Sequence, residues 1–390
     1  MKKKITIGLF VDSFFPMIDG VVSVADNYAV RLGKYANVIV FAPRYDKNYD
    51  DNKIPYTVVR CKSYKLHFID YSLSTPKLDY KFLKKLDSYN LDIVHIHSPF
   101  MMGRMGLTYA KKRGIPVIGT MHSQFRQDFY RATKNKYLSE KLNKKMVIEP
   151  FEKCTKCYAV NHEIARIYHE DYGYKEMPEV LGNATEMKPA NKKEARNYIN
   201  EKYHLDDNQK VLLFVGRINA LKNIYFIVDA LKELKKISDL DFKMLFVGSG
   251  QDEEKLKEYI IKNKLSNNII MCGRVANRKK LSYYYQRADL FLFPSLYDAS
   301  SIVQIEAASQ KTPTLFIEGA ATIGSIKNNI DGFISEDNYK AYALKIKEIM
   351  EDEKLYKKVS NEAYKKVYIT WDKQIKNVYN EYLKVIDENS

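Results

Sequence analysis

Leu290-Phe291-Leu292-Phe293-Pro294 reads as a buried strand, and a short polar loop, Ser295 to Ser301, carries the chain from it into Ile302-Val303-Gln304-Ile305-Glu306-Ala307-Ala308, the apolar start of a helix. Strand, loop and helix in that order are one step of an open α/β sheet, which takes its ligands outside the carboxyl ends of the strands. A helix start at such an edge offers unpaired N–H groups to an anion. Two acidic residues, Asp298 and Glu306, stand on either side of that start. On the sequence alone both carboxylates remain free to hold hydroxyl groups of a sugar or a ribose.

The same alternation extends outward. In the second half of the chain the spacing predicts strands at Val211–Val215, Lys243–Val247, Asn268–Met271, Asp289–Phe293 and Thr314–Ile317, with helices near Ile224–Lys236, Glu253–Lys262 and Lys279–Gln286. The first half repeats the theme: short apolar runs at Ile5–Val11, Val38–Ala42, Ile93–Ile96, Pro116–Met121 and Cys157–Val160 alternate with helical patterns at Val22–Leu32, Phe82–Leu86, Met105–Lys112 and Met146–Lys153. Apolar runs too short for helices, separated by helical patterns, are the signature of mostly parallel sheets. The alternation pauses between Pro178 and Ala190, a polar run with two prolines that reads as a linker. The expected class is therefore α/β, with two Rossmann-like, doubly wound lobes and a cleft between them. The lobes are expected over 1–186 and 187–371; the tail, which alternates Ile375, Val378, Tyr379, Tyr382, Leu383 and Ile386 at helical spacing, is expected to complete the first lobe over 372–390.

Composition bounds the class of protein. A chain of 390 residues with 45% hydrophobic residues can bury two cores. No run of about 18 apolar residues exists for a membrane span. Lys2-Lys3-Lys4 leads directly into a strand rather than a signal peptide, so a cytoplasmic location is expected. Four cysteines are too few and too scattered for a disulfide framework, and Cys154-x-x-Cys157 lacks the second pair of a zinc site. The net charge of +16 favours an anionic partner. Nucleic acid has only this charge to support it and is not expected. Between 126 and 145 Arg126, Arg131, Lys134, Lys136, Lys141, Lys144 and Lys145 face only Asp128 and Glu140, interleaved with Phe125, Phe129, Tyr130, Tyr137 and Leu138. Such a segment reads either as a surface for an anionic membrane or as a solvated helix face.

Several residues at predicted strand ends could carry chemistry. The first strand runs into Asp12-Ser13-Phe14-Phe15-Pro16-Met17-Ile18-Asp19-Gly20, whose single glycine excludes a G-x-G-x-x-G dinucleotide fingerprint but allows close backbone approach to a phosphate. Phe214-Val215-Gly216-Arg217 and Lys222 place a planar fork and a point charge where a diphosphate could lie, without a P-loop. Phe246-Val247-Gly248-Ser249-Gly250 and Cys272-Gly273-Arg274-Val275 repeat the strand-then-glycine theme. His122 follows a strand and stands at a carboxyl end, whereas His95 and His97 read as packing or loop hydrogen bonders. Asp239-Leu240-Asp241 precedes its strand, at the wrong end of the sheet for a metal–nucleotide site, so no metal ligands are expected.

Taken in order, these residues resemble the retaining glycosyltransferases of the GT-B architecture, family four. The resemblance runs through Phe15-Pro16-x-x-Asp19-Gly20-Val21, Gly216-Arg217 with Lys222, Gly248-x-Gly250, Gly273-Arg274-Val275, Phe293-Pro294-Ser295 and the acidic-x7-Glu spacing that ends in Glu306-Ala307-Ala308, and covers essentially the whole chain. It implies a nucleotide-sugar donor and no cofactor. Gly20 would present backbone to the donor diphosphate, and Arg217 and Lys222 would neutralise it. Glu306 would hold the ribose, the amides around Ser301, Ile302 and Val303 would face the phosphates, and Arg274 and Val275 would border the base. Asp298 would hold the donor sugar, with His122 beside it. The family's usual Glu followed by Gly-x-Gly is here Asp298-Ala299-Ser300-Ser301, and Leu181-Gly182-Asn183-Ala184 replaces its usual Pro-Asn-Gly. The first leaves the donor sugar open, because a shorter carboxylate reaches less far and alanine and serine restrict the backbone.

The loop of His122 and the basic segment are similar to those of diacylglycerol glucosyltransferases. They imply metal-independent, retaining transfer of a hexose, glucose by analogy, from a uridine diphosphate sugar to a diacylglycerol lipid, by an enzyme peripheral to the inner face of the membrane. Transfer to a polyprenyl-linked saccharide is the alternative within enzymes. A non-catalytic nucleotide-sugar-binding protein is the alternative outside them.

Overall fold

A computed structural model describes residues 4–17, 19–46, 48–65 and 72–389; Lys2, Lys3 and Ile18, named above, lie outside the described residues. The chain divides into two compact units, Met1–Asn183 together with Trp371–Ser390, and Ala184–Thr370.

The first unit is built on β1 (Thr6–Phe10), β2 (Asn37–Pro43), β3 (Thr57–Cys61), a small antiparallel pair β4 (Ser63–Lys65) and β5 (Ser72–Ser74), then β6 (Ile93–Ile96), β7 (Val117–Met121), β8 (Lys156–Ala159) and β9 (Glu179–Val180). Its main sheet runs β3-β2-β1-β6-β7-β8-β9, with every neighbouring pair parallel. The helices between them are α1 (Gly20–Leu32), α2 (Tyr80–Asp87), α3 (Met101–Arg113), α4 (Phe125–Thr133), α5 (Lys136–Asn143), α6 (Glu149–Phe151) and α7 (His162–Arg166). Strand order reverses between β1 and β6, so the loops after these two strands diverge and leave room at the carboxyl edge.

The second unit follows the same plan: α8 (Lys192–Tyr203), β10 (Lys210–Val215), α9 (Ile224–Ile237), β11 (Phe242–Val247), α10 (Glu253–Lys262), β12 (Ile269–Gly273), α11 (Arg278–Arg287), β13 (Leu290–Leu292), α12 (Ile302–Ser309), β14 (Thr314–Ile317), β15 (Phe333–Ser335), α13 (Tyr339–Glu351) and α14 (Glu353–Lys366). Its sheet is β12-β11-β10-β13-β14-β15, all parallel, and the order reverses between β10 and β13. Val211 to Val215 are all buried because helices cover both faces of such a sheet, which is why the strand reads as an unbroken apolar run. The final helix α15 (Trp371–Asp387) belongs to the first unit: Tyr379 stacks on Tyr35 of the segment after α1 at 5.2 Å, and Trp371 meets Tyr28 of α1 edge-on at 5.9 Å.

Gly248 sits at φ +147°, and a Cβ there would lie 1.8 Å from the carbonyl oxygen of Gly216; one on Gly250 would lie 2.1 Å from that of Ile218. These two glycines let the β11 loop pack directly against the loop carrying Arg217. Their spacing thus reports close contact between the two loops.

Several elements depart from expectation. The helix expected from Met105 begins at Met101, because the carboxylate of Asp12, at the end of β1, accepts hydrogen bonds from the amides of Met102 at 2.8 Å and Gly103 at 3.4 Å. That cap is 90 positions away in sequence and invisible to a local pattern. The expected helix over 146–153 is a π-helical turn, Lys144–Ile148, followed by the short α6. The expected linker contains β9, whose two residues are too few to show a period. No element was expected at β3, α8, β15, α13 or α14. In α8 only Ala195 and Ile199 are buried among lysines, so the apolar stripe is faint, although the Asn191 side chain caps the amide of Glu194 at 3.0 Å.

Candidate functional site

In the second unit β10 delivers Gly216 and Arg217 to the carboxyl edge, and a 3-10 turn, Ala220–Lys222, follows. The amide of Ala220 donates to Asp252 at 2.8 Å, which anchors that turn. Arg217 is exposed. Lys222 reaches across to the loop after β13 and pairs with Asp298; both side chains are 18% exposed. Asp298 also accepts from the Ser295 hydroxyl at 2.7 Å, and the Asn223 side chain donates to the Pro294 carbonyl at 3.1 Å. The two loops on either side of the point where strand order reverses are thus tied together by a charge pair and a hydrogen bond.

The pairing corrects the expectation of two free carboxylates. Asp298 is held by Lys222 and Ser295. Glu306, 3% exposed on α12, is held by Arg278 at one oxygen and by the Tyr285 hydroxyl, 2.9 Å away, at the other. Burial, and then the Glu306 charge, push the Tyr285 phenol well above its ordinary value, so it remains a donor. An ionised carboxylate has about four acceptor positions. Two of these are filled at Glu306, by Arg278 and Tyr285, which fix the orientation of the carboxylate. Lys222 is likewise no free cation, being paired with Asp298, whereas Arg217 and Arg274 are exposed and make no ion pair among the described residues.

Three positions after Asp298 the helix α12 starts. Its N-cap, Ser301, is extended and makes no capping hydrogen bond with its side chain, and no acidic residue lies in the first turn. The amides of Ile302 and Val303 therefore begin the helix without a side-chain acceptor from the cap. Arg274 is exposed just beyond β12, and Val275 packs against the core of this unit.

In the first unit Gly20 is the first residue of α1. A Cβ there would meet nothing within 4 Å, so the backbone is open to approach. The adjoining cap, Asp19, accepts from the Val22 amide at 2.8 Å and places a carboxylate beside this helix start. His122 follows β7, and its Nε2 lies 3.1 Å from His97 Nδ1, the rings inclined by 23° with centroids 5.3 Å apart. His95, next on the same face of β6, bonds Tyr382 of α15 at 2.5 Å and Thr120 at 2.7 Å. Burial pushes His95 and His122 down to about 3 and His97 well below its ordinary value, so all three are neutral imidazoles near pH 7.

The structure thus joins Lys222 to Asp298, gathers Arg217, Lys222, Asp298 and α12 on one sheet edge, and places Gly20 and His122 at the edge of the other sheet. Arg278, Tyr285 and His97 escaped sequence reasoning. Arg278 and Tyr285 lie seven positions apart, the spacing of one helix face, and His95/Thr120 and His97/His122 share an offset of 25 between neighbouring strands; those were the available signals. The free cysteines Cys154 and Cys157 pack beneath β7, where a Cβ on Gly119 would meet both sulfurs within 3.1 Å. Among the described residues no group of three or more His, Cys, Asp or Glu is placed to hold a metal ion, and no helix is long and apolar enough to cross a membrane.

Two doubly wound parallel sheets, the second with basic groups and an uncapped helix start at its switch point, define the architecture of GT-B glycosyltransferases. Residues 195–366 match the model of the glycosyl transferases group 1, and residues 18–187 match that of glycosyltransferase family 4. The chain belongs to this family and is a glycosyltransferase. It is 28% identical over 330 residues to an alpha-monoglucosyldiacylglycerol synthase of Acholeplasma laidlawii, spanning 79% of each chain. It is 26% identical over 320 residues to the protein of that name from Streptococcus pneumoniae, spanning 79% of this chain and 70% of the relative. Among solved structures, Alr3699/HepE of Anabaena in complex with UDP and glucose superposes with a TM-score of 0.75 at 12% identity, over 97% of this chain and 100% of that one.

Proposed function

We propose that the protein transfers a hexose, glucose in the first instance, from a uridine diphosphate sugar to diacylglycerol at an anionic membrane surface, with retention and without a metal. The observation that carries the reading is the Lys222–Asp298 pair, set on the same edge as the exposed Arg217 and the uncapped start of α12. As the bond from the sugar C1 to the diphosphate oxygen breaks, negative charge grows on the leaving group. Arg217 and the amides of Ile302 and Val303 oppose that charge with groups that need not reorganise. Asp298, oriented by Lys222 and Ser295, accepts hydroxyls of the donor sugar. Glu306 accepts the ribose diol. The new bond forms between C1 and the acceptor oxygen on the face the leaving group departs from, and the acceptor proton passes to the departing phosphate oxygen, so no protein base is needed.

The acceptor reading draws support from the two diacylglycerol-named relatives and from α4 and α5. No residue of α4 is buried, and Tyr130, Tyr137 and Leu138 are 51%, 74% and 41% exposed. Arg126 is taken up by the Asp171 carbonyl and the Tyr172 ring, and Arg131 pairs with Asp128, but Lys134, Lys136, Lys141, Lys144 and Lys145 are exposed. Exposed aromatic rings among lysines suit the headgroup layer of an anionic, cytoplasmic leaflet. The test is transfer from labelled UDP-glucose to diacylglycerol in vesicles containing anionic lipid. A glycolipid lost in Arg217→Ala is expected; transfer confined to a polyprenyl-linked saccharide would overturn the acceptor, and donor binding without turnover would overturn the enzyme.

A further inference from the structure

We propose that His97 is a positioning residue for the transfer: it donates from Nδ1 to His122 Nε2 and holds His122 in the Nδ1–H tautomer, a fixed hydrogen-bond donor rather than a base. The tautomer rests on this chain's own atoms; its use on a sugar hydroxyl rests on the donor-site reading of His122 above.

The two nitrogens lie 3.1 Å apart, so one must donate and the other accept. The other nitrogen of His97, Nε2, is buried without a partner among the described residues. Were the proton on Nε2, a buried N–H would be orphaned; with the proton on Nδ1 only a lone pair is left over, the less costly vacancy. A second proton on the ring is disfavoured by burial. His97 is therefore the donor, His122 Nε2 the acceptor, and the single proton of neutral His122 sits on Nδ1. That nitrogen is not among the buried atoms lacking a partner, and the His122 ring is only half-buried, so its N–H is the accessible end of the pair.

The arrangement is rigid. His97 meets His122 edge to edge through the hydrogen bond, stacks on His95 at 4.1 Å and 25°, and has Tyr28 against its edge at 5.3 Å. His95 cannot turn without losing Tyr382 and Thr120. A donor so fixed suits a hydroxyl oxygen, which accepts, and cannot take up the acceptor's proton, because its only lone pair is occupied.

Long-range 1H–15N spectra of the full chain labelled at histidine, with His122 assigned by its loss in His122→Gln, test the idea. The expected spectrum at pH 7 shows His122 protonated at Nδ1 and bare at Nε2. His97→Phe keeps a stacking ring but removes the donor; it should release the tautomer and lower kcat roughly 5- to 10-fold, the worth of one hydrogen bond. His97→Asn places an amide N–H near the Nδ1 position and should restore both. A wild-type His122 protonated at Nε2 overturns the proposal, even where His97→Phe fails to fold. If His122→Ala abolishes transfer and His97→Phe changes nothing, the positioning role fails by itself. If the tautomer is as expected and neither variant changes kcat, the role fails together with the donor-site reading of His122.

Discussion

Acidification should unfold the first unit by way of its buried histidines. His95 is 0% and His97 1% exposed, both are held neutral, and His95 takes up its proton only at about 3. In the unfolded chain the same side chains titrate near 6.5. Between those values the unfolded state binds more protons, so stability falls as the pH drops below 6.5. For one such group the loss between pH 7.5 and 5.5 is RT ln 10, about 1.4 kcal/mol, and for the two together about 3 kcal/mol, a large share of ordinary domain stability. The buried carboxyl of Asp12 is pushed up by burial and works in the opposite direction, so a difference between two proteins isolates the histidines better than an absolute slope. His95→Gln can keep a bond to Thr120 and removes one titrating group. Trp371 is the chain's only tryptophan, is 2% exposed and lies in the first unit, so its fluorescence during urea unfolding follows that unit alone. The variant should be less stable at pH 7.5 but lose about 1.4 kcal/mol less than wild type on going to pH 5.5. Equal losses in the two proteins would refute the reasoning.

Other consequences follow from the charge pairs. Arg217→Ala removes an exposed, unpaired cation beside the Lys222–Asp298 pair and should lower kcat about 100-fold, measured as initial rate at saturating donor. Lys222→Ala leaves Asp298 without its cation and should lower both activity and thermal midpoint, whereas Lys222→Ala with Asp298→Asn should regain midpoint and not activity; recovery of activity would show that the pair only braces the loops. Arg278→Ala frees the Glu306 carboxylate to rotate and should raise KM for the nucleotide sugar more than it lowers kcat in a steady-state titration. Replacing Lys134, Lys136 and Lys141 by glutamine should weaken binding to anionic vesicles by about 3 kcal/mol at low salt in a sedimentation assay, with little change on neutral vesicles.

What the sequence shows and hides has physical causes. Buried parallel strands such as Val211–Val215 and Leu290–Leu292 read as unbroken apolar runs, so sheet, class and the edge with its glycines and basic groups are legible. The paired state of that edge is not. Lys222 and Asp298 are 76 positions apart, and only the adjacency of β10 and β13, a consequence of strand order, brings them together. The sequence shows the two carboxylates as unpartnered, and the structure gives each a cation and a hydroxyl: Lys222 and Ser295 for Asp298, Arg278 and Tyr285 for Glu306. His97 looked like packing, and it does pack; its second role appears only when β6 and β7 set it against His122. Lysine-rich helices such as α8 and α14 show too faint an apolar stripe to be read.

The most direct measurement offers the full chain a mixture of nucleotide sugars in anionic vesicles that contain both diacylglycerol and a polyprenyl-linked saccharide, and resolves the lipid products by mass and by the configuration of the new anomeric centre. The expected product is a diacylglycerol bearing one hexose in the donor's own α configuration, formed from UDP-glucose. A β-linked product, or label found only on the polyprenyl-linked saccharide, would contradict the account.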